Sequence, residues 1–362
     1  MIRIAGGGVS GLATAVLLAR RGLAARVYDR HHGGGGRFAG GWQVLESSTG
    51  DEDALDELRR MGVGVPEPLV PARRATLFDG GGRRYEVASA QPFAYFLRRG
   101  PIAGSLDAWL RSQATSAGVV LCDGTAAPPD AEVLAWGPRQ ADGVAREIVF
   151  TTDLQDTVAV LFDPALTPSG YAYLFCLDGL ATFGVAQVRS LRTLPQAQRA
   201  AFERFRTLLG PFRVDHLETR GQFMNFSLPA ALRGPDGRLR IGEAAGVQDF
   251  LFGLGIRLAL RSAALAAAEL AGEGDEGALR ATVLCPMRTS IALRFLYERL
   301  GRAGFTRFCR FASRGDFRDF LRLLQRPRVA STVVSRLAMA AWRERRGCRH
   351  GPQCTWCRRR EA

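Results

Sequence analysis

The sequence contains no lysine, so arginine supplies all 49 of its basic residues. Histidine is also scarce, with four residues in a chain of 362. Nowhere does an apolar run approach the roughly 18 to 20 residues that cross a bilayer. Glycines interrupt the first apolar stretch, unlike that of a secretory signal peptide. These absences argue against a membrane-spanning or exported protein and predict a cytoplasmic one.

Disulfide bonds are not expected either. The chain has seven cysteines, and four of them are scattered: Cys122, Cys176, Cys285 and Cys309. A disulfide framework is typical of small secreted domains with closely and regularly spaced cysteines. The scattered thiols agree instead with a reducing compartment.

The other three cysteines lie close together near the end of the chain. Cys348, Cys354 and Cys357 enclose His350. Thiolates and an imidazole at such spacing bind zinc, and three thiolates with an outside ligand bind an iron–sulfur cluster. The segment is short and has little apolar sequence of its own to form a core. Two alternatives therefore stay open, a metal site or a basic tail with free or redox-active thiols.

Hydrophobic residues make up 47% of the sequence, enough for the core of two domains or of one large one.

Charge divides the chain into two parts. The formal net charge is +14, and residues 286–362 account for all of it, with 19 arginines against 5 acidic residues. Residues 305–311 and 317–324 in this region are amphipathic. We therefore expect peripheral contact with an anionic membrane surface, and we do not expect nucleic acid as a partner.

A glycine motif near the start predicts a dinucleotide site. A short apolar strand at 1–5 is followed by glycines 6, 8 and 11, a helical pattern, and a second strand that ends on Asp29. In this context the glycines allow a tight turn, contact of the backbone with a pyrophosphate, and close helix packing, while the acid binds ribose hydroxyls. The predicted contacts are Gly6, Gly8, Val9, Ser10, Gly11, Asp29 and Arg30.

A second segment, far along the chain, favours FAD over NAD as the tightly bound cofactor. A strand at 239–241 leads into Gly-Glu-Ala-Ala-Gly at 242–246, and a Gly-Leu-Gly-Ile sequence at 253–256 begins a helix. An acid here can accept a hydrogen bond from a ribityl hydroxyl, and the helix N-terminus can face the flavin pyrimidine ring. The predicted contacts are Gly242, Glu243, Gly246, Gly253, Gly255 and Ile256, with Arg37 and Arg99 at phosphate or ribose.

With a third segment, the sequence resembles the geranylgeranyl reductase family of FAD-dependent oxidoreductases. Residues 168–176, Pro-Ser-Gly-Tyr-Ala-Tyr-Leu-Phe-Cys, and Gly-Val-Ala at 184–186 are similar to that family's Pro-x-x-Tyr-x-Trp-x-Phe-Pro and Gly-x-Gly signature. Tyr173 and Cys176 replace the tryptophan and the last proline, and Glu243 replaces an aspartate. Ala39 stands where many members have a cysteine near the flavin.

The motifs and the resemblance together predict an α/β protein. We expect a Rossmann-like FAD-binding domain with an interleaved antiparallel-sheet substrate domain and a helical C-terminal region. The predicted boundaries are 1–75, 97–145 and 236–275 for the FAD-binding domain, 76–96 and 146–235 for the substrate domain, 276–345 for a helical basic region, and 346–362 for a Cys/Arg-rich tail. The oligomeric state is not predicted.

The resemblance implies reduction of C=C bonds in a hydrophobic, isoprenoid-like substrate by hydride transfer from flavin N5. NAD(P)H or a reduced electron carrier, including an electron-donor protein, would reduce the flavin. Tyr171, Tyr173 and Phe175 would line the substrate channel, although their alternation also suits rings that fill the core of a sheet. No acid is identified from the sequence, so a nearby acid or water would supply the proton. The alternatives are a flavin-dependent monooxygenase or oxidase of a secondary metabolite, and a redox-silent flavoprotein.

Overall fold

The computed structural model describes residues 1–38, 40–138, 142–188 and 191–346. The strands are β1 (Ile2–Ala5), β2 (Ala25–Asp29), β3 (Trp42–Glu46), β4 (Val70–Ala72), β5 (Arg74–Asp79), β6 (Arg84–Ala88), β7 (Ala94–Arg98), β8 (Val120–Asp123), β9 (Val133–Leu134), β10 (Gly143–Thr151), β11 (Thr157–Phe162), β12 (Gly170–Leu177), β13 (Leu180–Gln187), β14 (Asp215–Met224) and β15 (Leu239–Arg240). The helices are α1 (Val9–Ala19), α2 (Ala54–Met61), α3 (Leu106–Ser116), α4 (Leu194–Leu209), α5 (Ile256–Leu270), α6 (Glu276–Leu279), α7 (Cys285–Tyr297), α8 (Arg302–Ala312), α9 (Phe317–Gln325) and α10 (Val329–Arg346).

A parallel sheet of five strands forms the first layer, in the order β15-β9-β1-β2-β8. Helix α1 follows β1 directly and contacts both α3 and α5. Ten of the eleven residues of α1 are buried, which explains why its sequence is apolar on every side. The arrangement is the predicted Rossmann-like one.

A mixed sheet of seven strands forms the second layer, in the order β14-β10-β13-β12-β11-β5-β6. Its pairs are antiparallel except for β11 with β5. Successive side chains of β12 point to opposite faces. Ala172, Leu174 and Cys176 pack in one cluster with residues of α4, while Tyr173 and Phe175 belong to another. The predicted α/β fold class, with its antiparallel sheet, is therefore confirmed.

A three-stranded antiparallel sheet, β3-β7-β4, and the C-terminal helices complete the fold. Helices α8 and α9 contact strands of the seven-stranded sheet. In α8 the Phe305 ring stacks 5.6 Å from Phe162, and in α9 Phe317 and Leu321 are buried. Most of the apolar face that the amphipathic stretches offered to a membrane therefore packs against the protein itself.

Buried ion pairs join α2 to α5. The Glu57 carboxylate accepts from Arg257 Nε at 2.5 Å and from Arg261 Nε at 2.7 Å. Glu57 is 3% exposed and Arg257 is 2% exposed. Removing one partner from such a cluster leaves an uncompensated buried charge, which is strongly destabilising. The cluster therefore fixes α5 against α2.

A further arginine connects the C-terminal helices to the start of α2. Arg318 of α9 donates from Nε to the Ser47 carbonyl at 3.0 Å and lies 3.3 Å from Asp53 Oδ2. Asp53 is also the N-cap of α2, where its side chain accepts from Leu55 N, and it accepts a hydrogen bond from the Tyr95 hydroxyl. The C-terminal region is thus bonded into the first half of the chain.

The domain boundaries stay predictions, although those at 75 and 145 fall inside β5 and β10 of the seven-stranded sheet. The cysteines and histidine of the proposed metal site, Cys348, His350, Cys354 and Cys357, lie outside the described residues, as does Ala39. Within the described ranges, three or more His, Cys, Asp or Glu side chains are nowhere grouped as a metal site. None of the helices in those ranges has the length and apolar character needed to cross a bilayer.

Candidate functional site

A cavity of about 790 Å³ is lined by residues of both large sheets. The ends of β1 and β2 and the first turns of α1 and α5 line one part of it. Strands β10, β12 and β14 line another, together with the loop before β3. Its volume lies in the range of ligand-binding clefts.

The turn between β1 and α1 leaves room for a ligand at Gly8 but not at Gly11. Gly8 has φ −85°, which any residue can adopt, and a Cβ added there would meet no atom within 4 Å. A Cβ added at Gly11 would lie 1.9 Å from the Gly6 carbonyl oxygen. Gly8 therefore borders open space in the cavity, while Gly11 permits the close approach of helix and strand.

Asp29, at the end of β2, has a second role in this turn. One of its carboxylate oxygens accepts from Gly7 N at 2.7 Å, and the other accepts from His31 N at 2.8 Å. Both contacts fix the loop conformation on this side of the cavity. Asp29 also lines the cavity beside Arg30.

The structure brings most of the sequence-predicted cofactor residues together around this one cavity. Those that line it are Gly6, Gly8, Val9, Ser10, Asp29, Arg30, Arg37, Arg99, Glu243, Gly253, Gly255 and Ile256. The remaining three, Gly11, Gly242 and Gly246, lie behind its wall. A Cβ at Gly242 would be 2.7 Å from Ser10 Oγ, and one at Gly246 would be 2.5 Å from Ser227 N. These glycines serve backbone packing.

Helix α5 begins at the cavity. No side chain caps the N-terminus of α5, and the segment from Gly253 to Ile256 lines the cavity, so the partial positive charge of the helix end is placed beside it. Gln248 donates from Nε2 to the Gly253 carbonyl at 2.6 Å. Its Oε1 is buried without a hydrogen-bond partner among the described residues. The Gln248 side chain thus fixes the backbone just before the helix end.

The three charged residues predicted to bind the cofactor, Arg37, Arg99 and Glu243, differ in their contacts with the rest of the protein. Arg37 forms an ion pair with Glu243, whose side chain is 11% exposed. Arg99 donates from Nε to Asp107 at 2.7 Å, and its guanidinium lies 4.2 Å from the centre of the Phe38 ring. Arg99 is therefore held by the protein, while Arg37 and Glu243 are the charged pair that a ligand in the cavity would meet.

The three aromatic residues of β12 form a continuous wall. The ring centres of Tyr171 and Tyr173 are 5.8 Å apart, and those of Tyr173 and Phe175 are 4.9 Å apart. The Tyr171 hydroxyl donates to the Phe252 carbonyl. Phe175 also packs against Phe96. The rings therefore line the cavity and fill part of the core at the same time.

A buried carboxyl on β10 was missed in the sequence. Glu147 is 4% exposed, lines the cavity, and accepts from the Tyr173 hydroxyl at 2.6 Å and from Gln43 Nε2 at 2.8 Å. Burial raises its pKa above the ordinary 4.5, although these hydrogen bonds act in the opposite direction. The alternation of side chains along a strand could have indicated it, because Glu147 lies on the same face of β10 as Ala145 and Val149.

Comparisons with known proteins identify the fold. No family model and no curated protein sequence matches the chain. Among solved structures, a geranylgeranyl bacteriochlorophyll reductase-like protein from Thermoplasma acidophilum matches with a TM-score of 0.69 and 14% identity, over 92% of this chain and 94% of that one. The flavin-dependent halogenase CmlS matches with a TM-score of 0.57 and 17% identity, over 95% and 77%.

A third structure, the p-nitrophenol 4-monooxygenase PnpA from Pseudomonas putida DLL-E4, matches with a TM-score of 0.57 and 16% identity, over 94% of this chain and 98% of that one. At sequence identities this low, the structural similarity establishes the fold and leaves the activity open. The chain therefore has the predicted Rossmann-like α/β fold, which it shares with the geranylgeranyl bacteriochlorophyll reductase-like protein and the flavin-dependent halogenase.

Proposed function

We propose that the chain is an FAD-dependent oxidoreductase that reduces a C=C bond in a hydrophobic, isoprenoid-like substrate. One observation carries this proposal: a single cavity joins the dinucleotide turn at Gly8 to the aromatic wall of Tyr171, Tyr173 and Phe175. A cofactor bound at the turn and an apolar substrate bound at the wall would meet inside the same space.

The residues present fit FAD. The open backbone at Gly8 and the start of α1 suit a pyrophosphate, and Asp29 suits a ribose. Arg37 and Glu243 offer a phosphate donor and a ribityl acceptor. When bound, FAD supplies a hydride from N5. NAD(P)H or a reduced electron carrier is the expected source of its electrons.

The substrate end of the cavity suits an apolar molecule. Besides the β12 rings it is lined by Val44, Phe252 and Met224, and its polar groups are those of Glu147, Gln43 and Gln222. Burial of apolar surface gives roughly 25 cal/mol per Å², so a hydrocarbon chain gains binding free energy from such a wall without polar contacts. The fold shared with a reductase-like protein at a TM-score of 0.69 agrees with this proposal.

Flavin-dependent monooxygenation of a smaller metabolite is the second candidate, because a p-nitrophenol 4-monooxygenase has the same fold. The two activities separate in a direct assay. Saturation of a polyprenyl alcohol driven by dithionite under anaerobic conditions supports the reductase, and rapid NADPH oxidation with oxygen uptake supports the monooxygenase. A protein that binds FAD and does neither is a redox-silent flavoprotein.

The cofactor itself gives the first testable prediction. We expect FAD to be bound noncovalently, because the groups proposed to hold it are the backbone at Gly8 and the side chains of Asp29, Arg37 and Glu243. Heating the purified protein should release a flavin with the mass of FAD, identified by mass spectrometry of the supernatant. A colourless protein that takes up no FAD on reconstitution would contradict the proposal.

We also propose that the basic C-terminal region touches anionic membranes through α8. Arg310 and Phe311 lie three and four residues after Arg307, so these exposed side chains share one side of α8, and Arg314 is exposed just after the helix ends. Phe305, on the other face of α8, is buried in the core. On α8 itself Phe311 is exposed and Phe305 is buried, so the attraction through this helix is mainly electrostatic, at about 1 kcal/mol for each arginine near the surface.

Cosedimentation with vesicles containing phosphatidylserine tests this contact. Binding should weaken as salt is added, and it should weaken strongly when Arg307, Arg310 and Arg314 are changed together to glutamine. Arg59→Gln, an exposed arginine on α2, is the matched control and should bind like the unaltered protein. Equal binding to neutral vesicles would contradict an electrostatic contact.

A further inference from the structure

The fold holds a phenol and a carboxyl against each other at the cavity wall. The Tyr173 hydroxyl and Glu147 Oε1 are 2.6 Å apart, and the two residues are 7% and 4% exposed. Both residues line the cavity. A carboxyl this deeply buried without an arginine bonded to it is costly unless hydrogen bonds or protonation offset the loss of water.

The seven-stranded sheet is built to allow this contact. Tyr173 on β12 and Glu147 on β10 are not on adjacent strands, because β13 runs between them. Gly184 of β13 pairs in register with Tyr173 on one side and with Glu147 on the other. A Cβ at Gly184 would lie 2.2 Å from Cζ of the tyrosine ring. The missing side chain therefore lets the ring lie across β13 and reach the carboxyl.

Two glutamine side chains also form hydrogen bonds with Glu147. Gln43 of β3 donates to Oε1 at 2.8 Å, and Gln222 of β14 donates to Oε2. The titratable and charged groups around Glu147 are Tyr173 and Tyr171 of β12, Arg37, Arg99, and Arg220, which pairs with Glu147 in register on β14. On β13 the residue in register with Glu147 is Gly184, which has no side chain. The short O–O contact suits either a phenol donating to a carboxylate or a carboxylic acid donating to the phenol oxygen. In the second arrangement the phenol O–H is free to point into the cavity.

We propose that Tyr173 is the catalytic acid of the C=C reduction and that Glu147 is the proton store behind it; this inference rests on the proposed function. The alkene accepts a hydride from the cofactor at one carbon. Its other carbon forms a C–H bond with the proton of Tyr173 as the phenol O–H bond breaks. The proton of Glu147 moves to the phenol oxygen, leaving a carboxylate that water reprotonates after product release. The hydride and the proton together add two electrons and two protons to the alkene, and the reduced cofactor that would supply the hydride is oxidised.

The test compares Tyr173→Phe and Glu147→Gln with Tyr297→Phe in the FAD-loaded protein. Tyr297 is also a buried tyrosine, and its hydroxyl donates to the Gly170 carbonyl away from the cavity. With dithionite as reductant and geranylgeraniol as substrate, the first two variants should lose about 10²-fold or more in rate, as expected for removal of a general acid. Tyr297→Phe should keep its rate within about twofold. FAD affinity should be unchanged in all three.

Two further readouts distinguish proton storage from a structural role. The rate of the wild-type protein should fall as pH rises through the pKa of Glu147, and this fall should be absent in Glu147→Gln. Independently of turnover, the infrared difference spectrum between wild type and Glu147→Gln should show a carboxylic-acid band at pH values above 4.5, where an ordinary glutamic acid is ionised.

The outcomes separate the two proposals. If the wild type reduces geranylgeraniol and both variants keep its rate, the proton-donating pair is overturned and the reductase remains. If Glu147 is ionised at every pH above 4.5, the pair is overturned as well. If the infrared band is present but no alkene is reduced, the proton store stands and the proposed reductase fails.

Discussion

Gly8→Val is expected to abolish FAD binding while leaving the protein folded. The added side chain meets no protein atom within 4 Å of its Cβ, and the backbone at this position suits any residue. The same side chain would project into the cavity where the pyrophosphate must contact the backbone. The structure therefore separates ligand binding from folding at this glycine. FAD titration followed by flavin fluorescence, with thermal unfolding of the apoprotein, measures both effects.

Two further variants are to be compared with Gly8→Val. Gly11→Val should fail to fold normally, because its Cβ would lie 1.9 Å from the Gly6 carbonyl oxygen. Asp29→Ala should weaken FAD binding only in part, since lost hydrogen bonds to a charged group are worth about 1.5–3 kcal/mol. Undiminished FAD occupancy in Gly8→Val would show that the cofactor lies elsewhere.

Glu57→Gln is expected to lower the free energy of unfolding by about 3–5 kcal/mol, the usual cost of breaking a buried ion pair from one side. The glutamine keeps the size of the side chain but leaves Arg257 and Arg261 without the carboxylate that bonds both of them. The two arginines stay positively charged, because a guanidinium group in a protein does not lose its proton. Denaturant unfolding at neutral pH gives the difference.

Asp56→Asn is the matched control, because it changes the preceding residue of the same helix. Asp56 pairs with Arg59, and their side chains are 63% and 59% exposed. Such a surface pair contributes roughly 0–1 kcal/mol. Equal losses in the two variants would show that the buried cluster adds nothing to stability.

The pH dependence of the Glu57 effect has a definite sign. Burial alone would raise the pKa of Glu57, but Arg261 and Arg257 hold it below the ordinary 4.5. A carboxyl with a lowered pKa contributes stability that is present in full above 4.5 and is lost as pH falls through its lowered folded-state pKa. The gap between wild type and Glu57→Gln should therefore narrow in strong acid and stay constant at neutral pH.

Local patterns in the sequence were sufficient for the elements that depend on neighbouring residues. The strand predicted at 1–5 is β1, the strand predicted to end on Asp29 is β2, and the helix predicted to begin at 253–256 is α5, which starts at Ile256. In each case the hydrophobic period and the flanking turn residues belong to one short segment. The glycine motif at the start of α1 was recognised for the same reason.

Features that depend on strand order could not be predicted in this way. Strand β14 is exposed along most of its length, so its sequence lacks the inward alternation that marks a buried strand. The contact between Tyr173 and Glu147 requires that β13 lie between their strands and place Gly184 at the same level. Likewise, Glu57 and Arg257 are 200 residues apart, and only the packing of α2 on α5 brings them together.

The bond from Arg318 to Ser47 and Asp53 bears on the order in which the protein can assemble. Asp53 caps α2 early in the chain, but its arginine partner is near the far end. During synthesis on the ribosome, the first sheet and α2 therefore emerge long before Arg318 is added. Until that residue is made, Asp53 must be hydrated. The first part of the chain consequently reaches its final charge balance only after residue 318 has been added.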